Sequence, residues 1–121
     1  MVSKENKVAT SRAYLHHIAD VCVLRDAIDA YMYVARFTGC DKAIASENAR
    51  RLEDLRMEIA DARERLAQVD GDPGLILEMY VFEGKKYDRI GVEVGYSASS
   101  VKRLAHKGMV ALYDYLPAEW K

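Results

Sequence analysis

The stretch Tyr87–Leu104, YDRIGVEVGYSASSVKRL, constrains this chain most, because its glycines and serines dictate where two short helices stop and start. Apolar or small residues stand at Ile90, Gly91, Val94, Tyr96, Val101 and Leu104. Steps of three and four before the turn, and of three after it, suit two helices sharing one buried seam. Gly95 falls where the first helix must end and the chain reverse, a position that favours positive φ and therefore glycine. Ser97 follows as a candidate N-cap, its hydroxyl able to accept from free N–H groups of the next turn. Gly91, one turn before Gly95, marks a point where a crossing helix leaves no room for a side chain. Together these are the marks of a helix-turn-helix unit.

The residues around that unit carry a resemblance. From about Ile76 to Leu116 the order is an apolar helix, a basic corner (GKKY), the two-helix unit and a long final helix. This resembles region 4 of sigma-70-type factors, and GYSASSVKRLAHKGMVALYDYL is similar to the recognition end of phage regulators of the ArpU and RinA type. Small phage-encoded proteins with a helical hairpin before this module resemble nearly the whole chain. The resemblance implies a sequence-specific, double-stranded-DNA-binding regulator of phage or prophage transcription. RNA polymerase and a second copy of the chain are the protein partners that go with it. A small-terminase-like DNA-packaging adaptor would share the same parts. So would an interaction module that binds polymerase without touching DNA.

Upstream, two longer helical patterns point to an all-α fold. From Ser11, Val21, Leu24, Ile28, Tyr31 and Ala35 recur at steps of three and four, with Ile18, Cys22 and Met32 broadening the stripe. The polar Met1–Thr10 reads as a frayed lead-in. Thr38-Gly39-Cys40-Asp41 breaks the pattern, with Gly39 as a helix-ending residue and Asp41 as the next N-cap. From about Asp41 to Val69, Ala45, Leu52, Leu55, Ile59, Ala62, Leu66 and Val69 fit an a/d seam interrupted only by Asn48. Neither helix can bury its stripe alone, so residues 11–69 are expected to form an antiparallel, coiled-coil-like hairpin. That hairpin is either plain scaffold or an arm for dimerisation and partner docking.

Asp70-Gly71-Asp72-Pro73-Gly74 is the strongest punctuation in the chain and the expected domain boundary. The region 4-like domain would then occupy residues 73–117. It opens on the apolar helix Pro73–Phe82, where proline fits the first turn. The final helix should run from Ser97 to Tyr115 and stop before Leu116-Pro117. Gly108 inside it costs about 1 kcal/mol relative to alanine, and reads as a close-packing point.

The net charge is only −1, but its distribution matters more. Between Gly84 and Val110, Lys85, Lys86, Arg89, Lys102, Arg103 and Lys107 face only Asp88 and Glu93, and His106 could add to the excess. On the final helix Val101, Leu104, Met109 and Leu112 should point inward, leaving Ser99, Lys102, Arg103, His106 and Lys107 outward and Ser100 at the margin. In this motif the N-terminal half of the helix enters the major groove. Ser99, Ser100 and Arg103 are therefore the candidate base readers, Arg103 because its planar fork can pair with guanine. Lys85, Lys86, Arg89, Ser97, Lys102, His106 and Lys107 are candidate phosphate contacts. For any single lysine, an ordinary solvated charge is nearly as natural a reading.

Other chemistry finds little support. Cys22 and Cys40 lack a CxxC and partners at ligand spacing, and read as buried thiols of a reducing compartment. His16-His17 has no partners at metal-ligand spacing, so packing is the expected role. No phosphate loop, nucleophile elbow, HExxH or catalytic carboxylate pair occurs. The expectation is a protein without cofactor or enzymatic activity. No apolar run approaches the ~20 residues of a membrane span and no signal peptide is recognisable, so a cytoplasmic location is expected.

Overall fold

A computed structural model describes all residues, Met1–Lys121, and its regular elements are all helical. Five helices follow one another: α1 (Lys4–Thr38), α2 (Lys42–Leu66), α3 (Gly71–Phe82), α4 (Tyr87–Val94) and α5 (Ala98–Tyr113), with a 3₁₀ turn at Ala118–Trp120. No helix is long and apolar enough to cross a membrane.

The boundaries follow the expected caps. Asp41 accepts from the backbone N–H groups of Ala43 and Ile44, and Gly39 ends α1 at φ 88°. Pro73 sits in the first turn of α3. Gly95 ends α4 in the left-handed region, φ 82° and ψ 27°. Ser97 caps α5, accepting from Ser100 N–H at 3.2 Å. The seam of α2 is also as expected: Leu52, Ile59, Ala62, Leu66 and Val69 are buried, with Ala45, Asn48 and Leu55 half-buried.

The start of the chain differs from expectation. Helix α1 begins at Lys4, capped by Ser3, whose hydroxyl accepts from Asn6 N–H. What orders this polar segment is α5. Val8 packs on the core, the Lys7 ammonium lies 5.6 Å from the Tyr113 ring centre, and buried Ser11 donates to the Met109 carbonyl at 2.7 Å. Two side chains of the α1 stripe also depart from the pattern, Leu24 and Tyr31 being 40% and 50% exposed. Cys22 is buried, but Cys40 is exposed in the short link between helices.

One core of 19 buried residues draws on every helix. It joins Leu15 and Ile18 of α1 and Leu66 of α2 to Ile76 and Leu77 of α3, Ile90 of α4, and Val101, Met109 and Leu112 of α5. The segments 11–69 and 73–117 therefore share a hydrophobic interior across the Asp70–Gly74 punctuation. Outside this core, α1 and α2 continue as an arm in which only Ile28 and Leu52 are buried between residues 23 and 58. The end of the chain folds back on α1, with Trp120 edge-on to Tyr14 at 5.5 Å.

Two glycines set how closely the last three helices meet. A Cβ at Gly91 would lie 2.5 Å from the Tyr96 carbonyl oxygen and 3.4 Å from Val101 Cγ2. A Cβ at Gly108 would lie 3.0 Å from Leu77 Cδ1 and 3.1 Å from the Pro73 carbonyl oxygen. Nothing lies within 4 Å of a Cβ built at Gly95, whose constraint is backbone conformation alone. Gly91→Ala is therefore expected to destabilise by about 2–3 kcal/mol through a forced backbone shift. Gly95→Ala should cost roughly 1–2 kcal/mol from positive φ. Urea unfolding of the two variants checks that order.

Candidate nucleic-acid interface

The turn between α4 and α5 is held at several points. Gly91 C=O accepts from both Gly95 and Tyr96 N–H at 2.9 Å. The Tyr96 hydroxyl reaches across to Asp72 Oδ2 at 2.5 Å, tying the turn to the start of α3. That bond to Asp72 raises the Tyr96 pKa above its usual range. The Ser97, Ser99 and Ser100 hydroxyls cluster within 3.0–3.3 Å at the first turn of α5. Ser97 is occupied as a cap, whereas Ser99 is exposed and retains free hydrogen-bonding capacity.

Along α5 the expected faces are present. Val101, Met109 and Leu112 are buried, together with Ala105 and Gly108, and Leu104 is half-buried. Ser99, Lys102, Arg103 and Lys107 are exposed, and Ser100 is half-buried. Lys86, Lys102, Arg103 and Lys107 take part in none of the ion pairs. Their charge is free for an external anion.

The basic corner is organised differently. Lys85 Nζ binds Glu83 at 2.8 Å and Glu93 at 2.7 Å, and Arg89 Nε reaches Glu93 at 3.3 Å. The Lys85 hydrogen bond, with help from Arg89, holds the Glu93 carboxyl below its usual range. Glu83 and Glu93 raise the Lys85 pKa in return. Lys85 and Arg89 thus form a surface network with two carboxylates. Their positive charge is locally offset before any ligand arrives.

His106 is the clearest departure from expectation. Arg12 Nη2 lies 3.0 Å from His106 Nε2. An arginine is always protonated and only donates, so Nε2 must be the acceptor and the ring neutral with its proton on Nδ1. Burial lowers the His106 pKa below 6.5, and Arg12 and Lys102 lower it further. His106 therefore adds no positive charge near neutral pH.

The same contact exposes what the residue pattern of α5 did not reveal. Lys4, Glu5, Val8, Ala9 and Arg12 of α1 face Arg103, His106, Lys107 and Val110 of α5 across an open groove of about 760 Å³. Lys4 and Arg12 extend the basic surface of α5 onto α1. The signal was present in the spacing Lys4–Val8–Arg12, which puts three residues four apart on one helical face. Glu5 is the one carboxylate of this groove, whereas Asp61, Glu64 and Asp114 line a separate groove with Arg65, between the ends of α2 and α5.

The other histidines contact neighbouring side chains at the surface. His16 meets the Tyr80 hydroxyl at 3.1 Å. His17 meets Glu58 at 2.5 Å and lies 5.4 Å from the Trp120 ring. Of the aromatic rings between Tyr80 and Trp120, Tyr80, Phe82, Tyr87, Tyr113 and Trp120 are half-buried, whereas Tyr96 and Tyr115 are 38% and 42% exposed.

Because its folded pKa lies below 6.5, the contribution of His106 to stability is complete above that pH. It is lost as pH falls from about 6.5 through the folded pKa. Nuclear magnetic resonance titration should place the His106 midpoint below 6.5, and Arg12→Ala should move it upward. The chain matches no protein-family model, curated protein or solved structure.

Proposed function

We propose that this chain is a sequence-specific DNA-binding transcriptional regulator of phage or prophage genes, acting in the cytoplasm without enzymatic chemistry. In this reading α1 and α2 form an antiparallel hairpin, and α3 to α5 form a sigma region 4-like domain. Helices α4 and α5 are its helix-turn-helix, with α5 as the recognition helix. The observation that carries the reading is the outer face of α5, where Lys102, Arg103 and Lys107 are exposed and unpaired beside Ser99.

The mechanism is positional. The first two turns of α5 enter a major groove, where Arg103 presents its fork to guanine N7 and O6 and Ser99 meets an adjacent base edge. Ser100, partly committed to the cap at Ser97, plays a smaller part in base reading. Lys102, Lys107 and Lys86 neutralise phosphates, and Lys4 and Arg12 extend that contact along the backbone. Lys85 and Arg89 reach phosphate only by exchanging their carboxylate partners, so they contribute less. His106 acts as a neutral spacer that holds Arg12 beside α5. RNA polymerase or a second protomer engages another surface. A body with a net charge of −1 makes binding moderate and salt-sensitive.

A second reading has its own support. Val8, Ala9 and Val110 contribute apolar surface to the lining of the groove, which suits a protein segment better than a phosphate backbone. In that case the basic face would bind an acidic helix of polymerase or of another regulator, with no DNA contact.

Duplex-binding titrations separate the two. On a selected site, Arg103→Ala is expected to lose about 1–3 kcal/mol and relax preference at one base pair. Lys102→Ala and Lys107→Ala should each reduce the salt slope by about one without changing the preferred site. Lys85→Ala should have a smaller effect than either. No binding to any duplex at low salt would favour the protein-binding reading.

A further inference from the structure

Helix α1 carries two apolar seams, and only one of them has a partner inside the molecule. The seam through Val21 and Ile28 is buried. The other runs through Val23, Ala27, Ala30, Val34 and Phe37, at steps of four, three, four and three over two heptads. All five are exposed, Val23 by 68%, Val34 by 56% and Phe37 by 76%. Tyr33 leans edge-on against Phe37 at 5.4 Å and widens the stripe at one end.

We infer that this outer stripe of α1 is the contact surface for a second copy of the chain, joined antiparallel about a two-fold axis between residues 28 and 29. The proposal gives a definite interface to the expected self-association, and it does not depend on DNA binding. Its basis is self-complementarity, which an isologous contact requires. The spacing of Val23, Ala27, Ala30 and Val34 reads the same in both directions. Antiparallel pairing sets Val23 level with Val34 of the other copy, and Ala27 level with Ala30. The two central alanines let the backbones approach closely. Phe37 falls level with Asp20, and the neighbouring Ala19 is small enough to leave room for its ring.

Charge favours the same direction. Parallel pairing would set Asp20 against Asp20 and Asp26 against Asp26. Antiparallel pairing separates these like charges and brings Arg36 of one copy near the level of Asp20 of the other. The stripe from Ala19 to Phe37 is about 27 Å long at the helical rise of ~1.5 Å per residue. A contact along one helix pair is small beside standard stable interfaces, so the dimer should be of modest affinity and dependent on concentration.

Sedimentation of the full chain without DNA tests this. The mass should rise from 13.7 kDa towards twice that value with increasing concentration. Ala30→Glu combined with Val34→Glu should hold it at 13.7 kDa with unchanged helical circular dichroism, since both sites are solvent-facing. Direction is read by disulfide trapping in a Cys40→Ser background, where the remaining Cys22 is buried. A mixture of Val23→Cys and Val34→Cys chains should cross-link, whereas Val23→Cys alone should not. A wild-type monomer at all concentrations would overturn the inference and leave the stripe to a different protein. So would an assembly larger than a dimer, a double-glutamate variant that still dimerises, or trapping by Val23→Cys alone. Because no DNA is present, each of these results leaves the DNA-binding reading standing. Loss of DNA binding by Arg103→Ala would likewise leave the dimer untouched.

Discussion

Ser11 is the one buried polar side chain in the protein, and its hydroxyl donates to the Met109 carbonyl across 98 residues of sequence. A buried hydroxyl without a partner would cost on the order of 1–3 kcal/mol, so this bond sets the register between the first helix and the last. Around it, Lys7 covers Tyr113 and Arg12 donates to His106. The contacts recur about once per turn of α1, which is why a polar terminus is helical from Lys4. A helix ordered this way belongs to two structures at once. Its first half completes the core under α5, and its second half forms the arm with α2.

The division of charge follows from the same packing. Glu83 and Glu93 absorb the charge of Lys85 and Arg89, while Lys86, α5 and the facing turns of α1 keep theirs free. A neutral His106 between Arg12 and Lys102 avoids stacking three cations at one point, where mutual repulsion would oppose the packing of α1 on α5. The basic surface is thus smaller than a count of lysines and arginines in Gly84–Val110 suggests, and it is displaced towards α1. A charge count along the chain sees residue types; it does not see which carboxylates lie within reach.

Much of this was legible in the sequence, for reasons tied to range. Gly95, Ser97, Gly39 and Asp41 act within their own turns, so their roles could be read one at a time. The α2 seam was legible because a regular a/d repeat leaves one choice of inner face. The early start of α1 was not, since its helix depends on the surface of α5 rather than on local propensity. Nor was the partnership of His106, which needs a residue 94 positions away. In α1 the difficulty was of another kind. Two interleaved heptad stripes offer two possible inner faces, and only the position of α2 distinguishes the buried stripe from the bare one.

That position also bears on how a two-fold assembly would work. The arm that carries the bare stripe is the same helix whose first turns grip α5, with no break between them. Any partner that fixes the direction of the arm therefore also fixes the direction of the α5 face, because a continuous helix transmits orientation as a nearly rigid rod. A flexible linker would have allowed the two ends to turn independently. Here the α1–α5 clamp removes that freedom, and the spacing between two such faces would be set by helix length alone.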